Sequence, residues 1–167
     1  MPLLIKGTRM LTVTRALEFV IDFYVKYYPE RTNPVDWINQ ARERSDGVMI
    51  AGSGICYQVA KAIQTVMPEV KHTYLCLVAS CGNNEFGEYP LHCVIHHEGR
   101  FYDTMNLGGV DDMHRLGWCI ANDVQDEVFL PENADDFETF DRCYRDLPVD
   151  HFTYELMLAL KAFASDQ

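Results

Sequence analysis

The chain has 167 residues, with 14 Lys and Arg against 25 Asp and Glu, a formal net charge of −11, and 48% hydrophobic residues. That length and apolar fraction suit one domain spanning 1–167 and exclude a disordered or collagen-like chain. The acidic balance argues against partners held by phosphate neutralisation, so neither nucleic acid nor an anionic membrane surface is expected.

No apolar run approaches the ~20 residues needed to cross a bilayer. Lys6, Arg9 and Arg15 break up the first fifteen residues, which make a poor signal peptide. Cysteines at positions 56, 76, 81, 93, 119 and 143 are spread through a chain large enough to fold without disulfides, so free thiols and a cytoplasmic setting are expected.

In chain order, Thr14 reads as a helix N-cap. Leu17, Val20, Ile21, Tyr24 and Tyr28 form one helical face, and Phe19, Phe23 and Tyr27 a second stripe, so this helix should be covered on two sides. Pro29 stops it. Asn33-Pro34 opens a second helix to about Arg44, which Ser45-Asp46-Gly47 breaks. After Val48 to Ala51 and Gly52-Ser53-Gly54, a third helix runs from Ile55 to Met67, before Pro68.

His72 to Ser80 reads as a strand and Cys81 to Pro90 as a loop. Leu91–His97 and Arg100–Met105 are strand-like runs around Glu98-Gly99, a hairpin signal. Asn106 to Asp112 reads as a Gly- and Asp-rich loop and Leu116 to Ala121 as a strand. Asp135–Arg145 and Pro148–Ala164 read as helices, the last with Phe152, Leu156, Ala159, Leu160 and Phe163 on one face. The fold class is α+β, an antiparallel sheet packed against helices.

Cys56 follows Gly52-Ser53-Gly54-Ile55 in the first turn of a helix, where free N–H groups and the helix dipole favour a thiolate. Glycines beside it let a substrate backbone approach. A small thiol packed beneath a helix start is the other reading of this residue taken alone. A nucleophilic cysteine needs a base, and the base an orienting group. A two-residue turn at Glu98-Gly99 sets His97 opposite Arg100, His96 opposite Phe101 and Val94 opposite Asp103. Alternation then puts His92, Val94, Phe101 and Asp103 on one side of the sheet. His92 and Asp103 become diagonal neighbours within side-chain reach. A three-residue loop would put Asp103 on the other face. Taken as a pair alone, His92 and Asp103 read rather as a half-exposed strand residue and a turn cap.

The segments Gly54-Ile55-Cys56-Tyr57-Gln58-Val59-Ala60, Leu91-His92-Cys93-Val94-Ile95 and Gly99-Arg100-Phe101-Tyr102-Asp103 resemble the transglutaminase-like branch of papain-like cysteine enzymes. The resemblance covers Gly54 to about Met105. It implies a papain-like fold, with Cys56 as nucleophile, His92 as general base and Asp103 as its orienting partner. Val94 stands where the family usually has an aromatic, and Asp103 follows Tyr102 directly, a shorter spacing similar to that of NlpC/P60 amidases.

The implied activity is that of a thiol hydrolase or acyltransferase on a peptide, isopeptide or related amide in a peptide or protein substrate, with no cofactor and no metal. The Cys56 N–H would serve an oxyanion hole, with Gln40, Trp37 or Ser53 as candidates for its second donor. A zinc site built from Cys76, Cys81, Cys93, His96 and His97 is disfavoured. It has no Cys-x-x-Cys pair, and adjacent histidines on a strand face opposite ways. A catalytically inactive papain-like module that binds other proteins is the alternative function.

Overall fold

A computed structural model describes residues 10–27, 55–82 and 85–167. The expected Pro29 stop, the helix from Asn33 to Arg44, the run from Val48 to Ala51 and the Gly52-Ser53-Gly54 turn lie outside the described residues, as do Gln40 and Trp37. The described chain is α+β. In order it forms α1 (Val13–Tyr27), α2 (Ile55–Val66), β1 (Lys71–Gly82), β2 (Glu85–His97), β3 (Arg100–Asp103), β4 (Asn106–Val110), a 3₁₀ turn (Met113–Arg115), α3 (Gly117–Asn122), α4 (Ala134–Arg145) and α5 (His151–Ser165).

The sheet is a four-stranded antiparallel meander in the order β1-β2-β3-β4. Alternation along the strands splits its side chains between two cores. Tyr74, Cys76, Cys93 and Ile95 pack with Leu17, Val20 and Tyr24 of α1, Ala60 and Ile63 of α2, and Leu156 and Leu160 of α5. Leu75, Leu91, Val94 and Phe101 pack with Leu116, Trp118, Cys119, Val124 and Val128. Fully buried side chains such as Leu17, Ile63, Leu156 and Leu160 each contribute about 1.5–3 kcal/mol by leaving water. The second stripe on α1 is also covered: Phe19 stacks on Phe163 at 4.5 Å, and Phe23 and Tyr27 meet Phe152 at 5.7 and 5.2 Å.

Caps close the C-terminal helices. Asn133 accepts from the Asp136 N–H at the start of α4, and Asp150 from the Thr153 N–H at the start of α5. At α1 the capping hydroxyl belongs to Thr12, which accepts from the Arg15 N–H at 3.2 Å. Thr14, the expected cap, instead donates its hydroxyl to the Leu107 carbonyl of β4 at 2.8 Å, a tertiary partner that local sequence cannot show.

Three further expectations are corrected. The loop expected from Cys81 to Pro90 is mostly strand, with Ser80 opposite Phe86, Val78 opposite Glu88 and Gly82 opposite Glu85. A long β1 gives the backbone of these residues a hydrogen-bonding partner, and that outweighs their weak strand preference. Asn106–Val110 is strand β4, where Gly109 takes a φ of +72°. A Cβ there would lie 2.7 Å from the Tyr102 ring, so the glycine serves close strand packing. Residues Gly117–Asn122 form a helix rather than a strand. A short apolar run carries no decisive period, and here Asn106 Oδ1 accepts the Gly117 N–H at 2.7 Å and fixes the helix start.

Candidate active site

The hairpin between β2 and β3 has the expected two-residue turn. Glu98 and Gly99 both have positive φ, 49° and 73°, and His97 pairs with Arg100, His96 with Phe101 and Ile95 with Tyr102. That register sets His92 and Asp103 on one face, and His92 Nε2–H donates to Asp103 Oδ2 at 3.1 Å. Both side chains are buried, His92 to 3% and Asp103 to 7% exposure. Asp103 Oδ1 accepts the Met105 N–H at 2.9 Å, so both carboxylate oxygens are engaged and the group cannot swing away.

Just before His92, the register between β1 and β2 slips. Leu75 pairs with His92 and Cys76 with Pro90, which leaves Leu91 as the extra residue of a bulge. Pro90 has no N–H to give a ladder. Cys76 turns its own N–H and C=O to Phe129 instead, at 2.8 and 3.1 Å. Bulges re-aim the side chains beside them, and this one lies immediately ahead of the histidine.

Cys56 is the second residue of α2 and is partly buried against the core. Burial pushes its thiol pKa up, but hydrogen bonding and charge from His92 outweigh that, helped by the N–H groups of Cys93 and Tyr57. The net shift is downward. Burial pushes the His92 pKa down, and the bonds to Asp103 and Cys56 overturn this, raising it to about 9. The two shifts run in the directions that favour a thiolate–imidazolium pair. Nε2 is taken by Asp103. Nδ1 is buried with no nitrogen or oxygen partner among the described residues, so it is the nitrogen left to exchange a proton with the sulfur.

The chain holds a second buried imidazole–carboxylate pair, and the contrast is informative. Gln64 Nε2–H donates to Val70 O at 3.2 Å, which fixes its amide orientation, and to His72 Nδ1 at 2.8 Å. His72 Nε2–H donates to Asp141 Oδ1 at 2.6 Å, and the Tyr74 hydroxyl donates to the same oxygen at 2.7 Å. Both nitrogens of His72 are consumed, and burial holds its pKa below that of a free imidazole. This network ties α2 and α4 to β1, while His92 Nδ1 has no nitrogen or oxygen partner among the described residues.

Trp118 belongs to none of the motifs above. Its indole lies face to face with the His92 ring, centroids 4.5 Å apart and planes 10° from parallel. A Trp in a short apolar run is the only sequence signal that points there, and it does not name a partner. Among the described residues no group of three or more His, Cys, Asp or Glu side chains could hold a metal ion, and His96 stacks on Phe101 at 4.5 Å. No helix among the described residues is long and apolar enough to cross a membrane. Ser53, the remaining oxyanion candidate, lies outside the described residues with Gln40 and Trp37.

The chain matches no family model, no curated protein and no solved structure.

Proposed function

We propose that this chain is a thiol hydrolase or acyltransferase of the transglutaminase-like, papain-like kind, acting through Cys56, His92 and Asp103 on a peptide, isopeptide or related amide. The observation that carries the reading is the aligned set itself. A cysteine begins a helix with its pKa lowered by the buried His92 imidazole, and that imidazole is held at Nε2 by a doubly anchored carboxylate. The motif order Cys56, His92, Asp103 supports the family, and the α+β architecture is compatible with it.

In the proposed reaction the Cys56 thiolate attacks the substrate carbonyl, and the electron pair of the C=O moves to oxygen. The Cys56 N–H, in the first turn of α2, stabilises that oxyanion. As the C–N bond breaks, the imidazolium of His92 gives its Nδ1 proton to the leaving nitrogen, and a thioester remains on Cys56. His92, now neutral, takes a proton from water or an amine as it attacks the thioester, and the thiolate departs. Asp103 keeps Nε2 protonated throughout, so that the exchangeable proton leaves and returns at Nδ1.

Cys56, Cys76, Cys93, Cys119 and Cys143 form no disulfide, which supports a reducing, cytoplasmic setting.

The test is iodoacetamide labelling across pH with the modified site identified by mass spectrometry, followed by digestion of a mixed peptide library with Cys56→Ala as control. Cys56 should label first, below the ~8.5 of a free thiol, and the Cys56→Ala protein should release no products. Turnover that survives in Cys56→Ala, or labelling of Cys56 no faster than that of exposed Cys143, sinks the proposal.

A further inference from the structure

Trp118 is completely buried, yet its indole Nε1–H has no hydrogen-bond partner among the described residues. Leaving a buried donor unsatisfied is costly, and a Phe or Leu would avoid that cost. The value of a tryptophan here therefore lies in its ring face, which stacks on the His92 imidazole at 4.5 Å and 10°. An indole presents the most electron-rich face of any side chain to a cation above it. We propose that Trp118 is a positioning residue for the catalytic histidine, stabilising the imidazolium form of His92 through its ring face and holding the ring in the plane that joins Cys56 to Asp103. This rests on the assignment of Cys56 and His92 as the reacting pair.

The scaffold around the indole fits that role. α3 begins where Gly117 N–H is held by Asn106 Oδ1 at 2.7 Å, three residues beyond Asp103 on the same hairpin. At its other end, Asn122 Nδ2–H bonds back to the Trp118 carbonyl at 2.8 Å, and Asp123 closes the helix in the left-handed conformation. The segment that orients the carboxylate and the segment that carries the indole are thus tied together, so the two supports of His92 move as one. A stacked plate prevents rotation of the ring out of the Cys56–Asp103 line, which a single hydrogen bond at Nε2 permits.

Among the described residues the groups that act on His92 are few. Cys56 faces it from α2 and Asp103 from β3, while β1 presents Leu75. From α3 comes Cys119, whose pKa burial pushes up to about 12, so it stays a neutral thiol over the working range. A change in the titration of His92 on altering Trp118 is therefore attributable to the ring face and not to a charge carried with it.

The experiment is to follow the imidazole signals of His92 by NMR against pH in wild type, Trp118→Phe and Trp118→Leu, with His92→Ala to assign them. Cys56 labelling is measured on the same samples. In wild type the ring protons of His92 should be shifted upfield by the indole ring current. The His92 midpoint should fall in Trp118→Phe, and by roughly one pH unit in Trp118→Leu, with the rise of Cys56 labelling moving to higher pH. Midpoints equal in all three proteins overturn the proposal, and so does the absence of a ring-current shift in wild type. That last reading needs no variant to fold. A moved midpoint in a protein whose Cys56 never labels would support the contact while removing the enzymatic reading, so the two failures are distinct.

Discussion

Asp103 holds two donors with two oxygens, and replacing it tests how the site divides them. In Asp103→Asn a single carbonyl oxygen must serve both His92 Nε2–H, now 3.1 Å from Oδ2, and the Met105 N–H, now 2.9 Å from Oδ1. A hydrogen bond involving a charged partner is worth about 1.5–3 kcal/mol and a neutral one about 0.5–1.5 kcal/mol, so the oxygen should turn to the imidazolium. The amide NH₂ then faces the Met105 N–H, and a donor is left unsatisfied at a cost of about 1–3 kcal/mol. Asp103→Asn should therefore lose about that much stability in urea titration. It should keep most of its low-pH Cys56 labelling, with a shift of less than about one unit from loss of the negative charge. Asp103→Ala removes the acceptor altogether, burial then governs His92, and the labelling curve should rise by about one to two units. An Asp103→Ala protein that labels with the wild-type curve would refute the claim that Asp103 holds His92 in its charged form.

Four other outcomes follow from the same geometry. His92→Ala leaves the Cys56 thiol with its burial and without its main compensation, so its labelling midpoint should climb above that of a free thiol; an unchanged midpoint in iodoacetamide titration would remove the pair. Turnover should decline as pH rises through about 9, because the imidazolium that protonates the leaving nitrogen is then lost, and a pH–rate profile flat to higher values contradicts that role for His92. His72 has a pKa held below its ordinary value, so the unfolded chain binds its proton first and stability should fall as pH drops below ~6.5. Urea titrations of wild type and His72→Gln between pH 7 and 5.5 read this, and equal slopes in the two proteins count against it. Gly109→Ala puts a side chain at a φ of +72° with its Cβ 2.7 Å from Tyr102. The left-handed backbone alone costs about 1–2 kcal/mol, so thermal unfolding should shift by at least that, and a neutral result would show that Tyr102 yields freely.

The features legible in the chain alone were periodic or strictly local. The apolar spacing in α1, α2 and α5 is set by the 3.6-residue turn. The Glu98-Gly99 turn has a geometry that only a few residue pairs adopt, and its length places His92 and Asp103 on one face. From that one count the histidine–aspartate contact was legible. The tertiary structure alone decided the rest, because it turned on partners far apart in the chain. Thr14 left its capping role for the Leu107 carbonyl, Asn106 turned a run that reads as a strand into α3, and β1 drew Gly87 and its neighbours into pairing. Trp118 reached His92 only because α3 folds back over the sheet. Such choices follow the energy of long-range hydrogen bonds and ring contacts, which outweighs local preferences of a few tenths of a kcal/mol per residue.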